Sequence, residues 1–296
     1  MPSISIIAKG IGLLIATVYL VFGLDNPILD YTLFGMVLLT VGIPHGAIDH
    51  LTSNPHNSRS SLLPFLIQYI LMIVGYTIIW YFFPILALGL FLTMSAYHFG
   101  QTHFLSRIEG SNFLSILLFS ARGGFCLMVI IFGSFEESAA ILDPIIDIRS
   151  IIGFQWAILG SLFGLSLILQ RINSVKFNLN DLVELTLLPV LLYLTPLAVS
   201  FILYFGFWHS MPSMIAEYRY LKQYPCCRNL TAFVKQLMPF TLISLVGISI
   251  ILWIGLTYFS NEEIVLLFFI LISLISFPHI LYMDDFIKKR VNTGRY

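Results

Sequence analysis

The sequence predicts an all-α, polytopic membrane protein: a helical bundle of about ten transmembrane helices. Three observations predict it. Of 296 residues, 58% are hydrophobic and 10% charged, whereas a soluble domain carries roughly 25% charged residues. The apolar residues fall into successive runs near the roughly 20 residues that a spanning helix needs. Charge also sorts by side: with the N-terminus placed inside, 13 of the 15 basic residues fall on the inner connections and tail, as Lys and Arg near span ends do. Such a chain has too few charges to cover a water-soluble surface, which excludes a soluble enzyme and intrinsic disorder. The 15 acidic and 15 basic residues cancel to a net charge of 0, so bulk charge selects no partner and no nucleic acid.

The expected spans, in order, are 4–23, 31–50, 62–82, 84–105, 112–134, 151–170, 181–194, 197–217, 238–259 and 264–283. The first resembles a signal peptide, with Lys9 ahead of an apolar stretch. No small-x-small cleavage site follows, so it reads as a span. Pro84 divides 62–105, which is too long for one span. Pro196 divides 181–217 and leaves a short first half, either a full span or a re-entrant piece. The connections 51–61, 135–150, 171–180 and 218–237 read as loops, leaving 1–296 as one transmembrane domain. On this count both termini are cytoplasmic. Arg149 is the basic residue left outside and Arg122 lies within a span, expected to pair with Glu184 or Asp49. The three cysteines, Cys126, Cys226 and Cys227, form no disulfide framework and no CxxC motif.

Six of the seven histidines fall within spans; His56 lies in a polar loop. All six sit on even-numbered spans, which run from outside to inside. His45, His98, His209 and His279 lie 5, 7, 8 and 4 residues before the ends of theirs. At ~1.5 Å per residue, four separate helices then present imidazole within the last ~6–12 Å at the cytoplasmic end. One histidine in a membrane helix is commonly a hydrogen-bonded packing residue. Four at one depth point to a shared site, because polar groups in hydrocarbon are costly and usually functional. Imidazole is the commonest metal ligand and suits Zn, Cu, Fe and Ni. HExxH and GxSxG motifs are missing, and no carboxylate pair suits an aspartyl protease. What remains is a metal held by histidines.

The densest stretch is Gly42-Ile43-Pro44-His45-Gly46-Ala47-Ile48-Asp49-His50. Pro44 removes a helix hydrogen bond. Asp49, four residues after His45, shares its helix face and is expected to accept that ring's free N–H. His50 and His103 each follow a site histidine by five residues, ~140° around a helix, and are expected behind the ligands or at the interface. Tyr97, Phe99, Phe207, Trp208 and Phe277 flank the site histidines and suggest an apolar substrate pocket.

Four pieces together resemble the Brp/Blh family of membrane β-carotene 15,15′-dioxygenases: Gly42 to Asp49, Tyr97-His98-Phe99-Gly100, Trp208-His209-Ser210, and Phe277-Pro278-His279 followed by Asp284. The resemblance implies cleavage of β-carotene at its central double bond with O2, giving two all-trans-retinal. It implies Fe(2+) held by His45, His98, His209 and His279, the set that depth selects, with no catalytic residue beyond the metal centre. The expected partners are a lipophilic carotenoid, O2, membrane lipid and a rhodopsin that receives retinal; the expected location is the cell membrane, multi-pass. Two other classes compete. A di-iron desaturase or hydroxylase uses about eight histidines with HxxHH, which is absent here. A non-enzymatic haem or retinoid carrier would hold haem between two histidines and show a haem absorption band, and a transporter would place its polar site at midplane.

Overall fold

The computed structural model describes residues 4–24, 26–55, 59–105, 107–108 and 112–292; His56 lies outside them. Among the described residues every regular element is helical, with no strand. Among the described residues, seven helical stretches are long and apolar enough to cross a membrane: Ile4–Val21, Pro27–Ser53, Ser61–Phe82, Phe113–Gly133, Arg149–Ile172, Leu230–Gly255 and Asn261–Lys288. Pro84–Phe104 adds a 21-residue helix.

Between Asn178 and Leu221 the chain is helical but broken. Leu179–Leu185 and Leu187–Leu194 are separated at Thr186, whose backbone leaves the helical region. Thr195 and Pro196 are extended, as expected where proline restricts the residue before it. Leu197–Leu203, a π-helical stretch Tyr204–Ser210 and Met211–Leu221 then follow without interruption.

Two expected loops hold helix. Phe135–Leu142 lies inside 135–150, with Phe135, Ser138, Ala139 and Ile141 buried. Leu230–Gly255 begins eight residues before the expected 238. The side chain of Asn229 accepts the Ala232 N–H there and supplies a cap.

The chain divides into two compact units. The first comprises Met1–Gly42, Leu92–Asp143 and Asp147–Ser213; the second comprises Ile43–Phe91, Pro144–Ile146 and Met214–Tyr296. In the first, Phe104, Leu118, Phe119, Ala121 and Leu169 form a buried core. Helices 84–104 and 113–133 touch there backbone to backbone. A Cβ on Gly100 would meet the Phe119 carbonyl oxygen at 1.8 Å, and one on Gly123 would meet that of Ala96 at 1.9 Å. Small residues permit this approach, which is how helices gain packing where lipid offers no hydrophobic drive. In the second unit, Ile48, Leu51, Leu221, Cys227, Phe233 and Leu237 pack together. Outward, Leu230–Gly255 exposes Leu242, Ile243, Val246, Ile250 and Trp253. An apolar face of that kind suits lipid, not water.

The first unit also buries a charged network. Arg107 grips Asp181 through two bonds of 2.6 and 2.8 Å. Arg122, fully buried, donates to Ser166 at 2.8 Å and Gln170 at 2.6 Å. It lies 3.7 Å from Asp181 and 3.8 Å from Glu184, so of the two expected partners Glu184 is met. Lys9 donates to Glu184 at 2.6 Å. Buried charges survive in such an apolar setting only when paired and hydrogen-bonded.

Candidate metal centre

Each unit contains one pair of contacting histidines. In the second unit the His45 and His279 rings stand 4.5 Å apart, nearly perpendicular at 82°. Their Nε2 atoms approach to 3.0 Å. In the first unit the His98 and His209 rings have the same 4.5 Å separation, at 72°. All four side chains are buried.

Local backbone explains how two of these rings are aimed. Pro44 has no N–H to give the Thr40 carbonyl. The chain ahead of it, Leu38–Gly42, widens into a π-helix before Ile43–Gly46 resumes α geometry. His209 lies within the π-helical stretch Tyr204–Ser210. Such π turns are rare and frequent at functional sites, since the extra residue rotates side chains out of α register. In the sequence Pro44 marks a lost helix hydrogen bond, and nothing there signals the second π turn.

The same break redirects Asp49. The helix stops at Gly46, Ala47 N–H donates to the Pro44 carbonyl, and a new helix, Asp49–Ser53, begins after Ile48. The i, i+4 register between His45 and Asp49 is thereby lost. Asp49 Oδ1 instead lies 2.8 Å from Nδ1 of His279. This corrects the expectation that Asp49 serves His45. Its other oxygen, Oδ2, is 3.2 Å from the Tyr69 hydroxyl. Facing Nδ1 of His45 is the carboxylate of Glu217, at 3.5 Å. Sequence reading missed Glu217 because it ends the expected span 197–217, where a carboxylate reads as an interfacial end group.

The partners described for the His98 pair are an amide and aromatic rings. Nδ1 of His98 lies 3.3 Å from Oε1 of Gln101, whose Nε2 donates to the Tyr97 hydroxyl at 2.8 Å. The His209 ring meets Phe99 at 4.4 Å and stacks on Phe205 at 5.7 Å. Phe207 and Trp208 pack against the first helix at Gly12, where a Cβ would come within 2.9 Å of each. Phe277 stacks on Tyr76 at 4.7 Å.

The other two membrane histidines have separate partners. His50 Nδ1 lies 3.2 Å from the Ala47 carbonyl, and its ring packs on Phe240 at 4.5 Å. His103 is held between Glu184 at 2.7 Å and the Tyr204 hydroxyl at 3.0 Å. It therefore belongs to the buried charged network and touches the first residue of the π turn that carries His209. The three cysteines are free thiols. Burial pushes the Cys227 thiol up to about 12, which leaves it protonated and unreactive at neutral pH.

The His45–His279 geometry fits a bound cation. With the Nδ1 proton of His279 donated to Asp49, its Nε2 carries a lone pair. If the proton of His45 sits on Nδ1, toward Glu217, its Nε2 carries one too. Two lone pairs facing at 3.0 Å repel unless something positive lies between them. Two nitrogens bound cis to a metal at about 2.1 Å would be about 3.0 Å apart.

Helices long and apolar enough to cross a membrane, together with buried histidines that could hold a metal ion, define the class: a candidate membrane metalloprotein. The comparisons make this specific. The family described as beta-carotene 15,15'-dioxygenase matches residues 36–286, and the chain belongs to that family. It is 25% identical over 275 residues, 87% of this chain and 94% of the relative, to the beta-carotene 15,15'-dioxygenase of uncultured marine bacterium 66A03. No solved structure matches the chain.

Proposed function

We propose that this protein cleaves β-carotene across its 15,15′ double bond with O2 to give two molecules of all-trans-retinal, using one Fe(2+) held jointly by His45, His98, His209 and His279. The observation that carries this reading is the pairing of the four histidines within a chain of this family: each is buried and offers a ring nitrogen as a candidate metal ligand. Their common depth in the sequence supports one ion rather than two. Four neutral imidazoles also leave coordination positions open, as an oxygenase needs and a closed structural site does not.

The ion supplies the activation of O2, which is sluggish towards an alkene by itself. The chain's residues position and exclude. Asp49 fixes the tautomer of His279 by accepting a hydrogen bond from its Nδ1–H. Gln101 does the same for His98, with an amide in place of a carboxylate. Phe99 and Phe205, against His209, form an apolar wall that suits a polyene and keeps water out. Tyr97 completes that side through Gln101. No group is required to move a proton, because scission of a carbon–carbon double bond by O2 transfers none. Positioning and a dry pocket are then the protein's contribution.

The substrate dissolves in lipid and reaches the site laterally from the bilayer; retinal leaves by the same phase, to a rhodopsin where one is present. The protein resides in the cell membrane with both termini cytoplasmic. Ten spans account for the helices if 179–194 and 197–221 each cross, broken as they are.

Expression of the chain in cells that make β-carotene tests the reading. Colour loss with retinal accumulation is expected, and none from the His45→Ala or His209→Ala variant. Unchanged carotenoid beside well-folded protein would overturn it.

A further inference from the structure

Two carboxylates stand behind the His45–His279 pair, and one of them lacks a hydrogen bond. Asp49 accepts hydrogen bonds from His279 and Tyr69. Glu217, on the helix Met211–Leu221, is 0% exposed. Neither of its oxygens accepts a hydrogen bond among the described residues. The nearest approach described is Oε1 to Nδ1 of His45 at 3.5 Å, longer than the 2.7–3.2 Å of a good N–H···O bond. A carboxylate buried without a partner costs several kcal/mol. A chain retains such a group where an ion offsets the cost.

The asymmetry between the two pairs suggests what that ion requires. His98 is backed by an amide and His209 by phenyl rings, so the partners described for this pair bring no charge. Four neutral imidazoles leave a divalent cation with its full +2 in an apolar surround. Ionised beside a bound cation, Asp49 and Glu217 would together supply −2, both on the His45–His279 side.

We infer that Glu217 is a positioning residue for the metal site: it accepts the Nδ1–H of His45 when the ring's Nε2 binds the cation, and with Asp49 it neutralises a divalent ion. The inference rests on the four-histidine reading and assigns that site a charge requirement. A trivalent ion would leave it net positive, and loss of either carboxylate would weaken the hold on a divalent one. Carboxylates behind metal-bound histidines orient the ring and raise its basicity, and their loss typically costs about 10–100-fold in metal affinity.

The test measures metal binding, not turnover. Purified full-length protein is stripped with chelator and titrated with Fe(II) and with Co(II) by equilibrium dialysis. Glu217→Gln, nearly isosteric, is expected to keep wild-type helicity and to bind both ions about 10–100-fold more weakly. It should also shift the Co(II) absorption bands, which a purely structural role would leave in place. Wild-type affinity and an unshifted Co(II) spectrum in Glu217→Gln overturn the inference. Should Glu217→Gln fail to fold, Glu217→Asp decides: its carboxylate is drawn back by one methylene, and an unshifted Co(II) spectrum overturns the inference equally. His45→Ala and His279→Ala separate the two claims. If they abolish binding while Glu217→Gln does not weaken it, Glu217 alone is misassigned. If they leave binding intact, the four-histidine site itself falls.

Discussion

Oδ1 of Asp49 lies 2.8 Å from Nδ1 of His279, a bond between residues 230 positions apart. It joins the restarted helix Asp49–Ser53 to the last long helix, Asn261–Asn292. It also sets which ring nitrogen of His279 is available to a metal. Tyr69, 3.2 Å from both Asp49 Oδ2 and the Ile275 carbonyl, pins the carboxylate from the other side.

Asp49→Asn keeps the shape and removes the charge. Metal affinity and retinal formation should each fall about 10–100-fold, with partial recovery in excess Fe(II). His279→Ala removes the proposed ligand itself and should not recover. Iron content after dialysis, measured beside activity, checks this; an Asp49→Asn variant with wild-type iron content would refute it.

His50 is the contrasting case. Its ring lies between Phe240 at 4.5 Å and Phe65 at 6.4 Å, with Nδ1 facing the Ala47 carbonyl. His50→Ala should keep metal content and stay within a few-fold of wild-type activity. Lost packing should still cost about 1–3 kcal/mol of stability. An inactive, iron-free His50→Ala would move this residue into the ligand set.

Much of this architecture is legible in the sequence, and its failures have local causes. Apolar runs mark the spanning helices, because a spanning helix must be apolar throughout. The same rule hides Phe135–Leu142: Glu136 and Glu137 make that stretch read as loop, although its other face buries Phe135 and Ile141. It also truncates Leu230–Gly255, since helices continue past the hydrocarbon and Lys235 interrupts the apolar run. Depth along each span selects the four histidines, but span depth carries no information on which rings touch. Pairing depends on helix neighbours, and those follow from contacts such as Gly100 on Phe119. Asp49 goes to His279 because a break at Ala47 and Ile48 cancels the helical register on which its assignment to His45 depended.

The glycine contact gives a stability prediction. Gly100→Ala would drive a methyl group onto the Phe119 carbonyl, and backbone cannot yield as a flexible side chain does. A loss of about 3 kcal/mol is expected, the upper end for overpacking. Gly75→Ala is the control: nothing lies within 4 Å of its added Cβ. Its helix should gain up to about 1 kcal/mol from propensity. Denaturation of both variants in detergent checks the pair, and equal midpoints would refute the close contact.

Topology is checked separately. Reporters placed after Tyr296 and near Gln223 should both read cytoplasmic, and one near Asp143 external, because basic residues near span ends resist translocation. Opposite readings for Gln223 and Tyr296 would remove one span from the count and, with it, the common depth of His209 and His279.

Arg122 gives the last prediction. Its side chain is fully buried and donates from Nε to Ser166 and from one terminal nitrogen to Gln170. The other terminal nitrogen lies 3.7 Å from Asp181 and 3.8 Å from Glu184. Arg122→Met fills a similar volume without charge. It leaves Asp181 to Arg107 and Glu184 to Lys9 and His103, and strips Ser166 and Gln170 of their donor. Breaking a buried ion pair from one side typically costs 3–5 kcal/mol, because the remaining charge stays desolvated. The two carboxylates here keep other partners, which places the expected loss near about 3 kcal/mol. The damage should be to the fold of the first unit, not to metal chemistry: none of the four histidines is among the Arg122 partners described here. Folded Arg122→Met protein should therefore bind Fe(II) with wild-type affinity while denaturing earlier. A variant as stable as wild type would refute the structural role, and a folded one that cannot hold iron would show that the network acts on the site rather than on the helices around it.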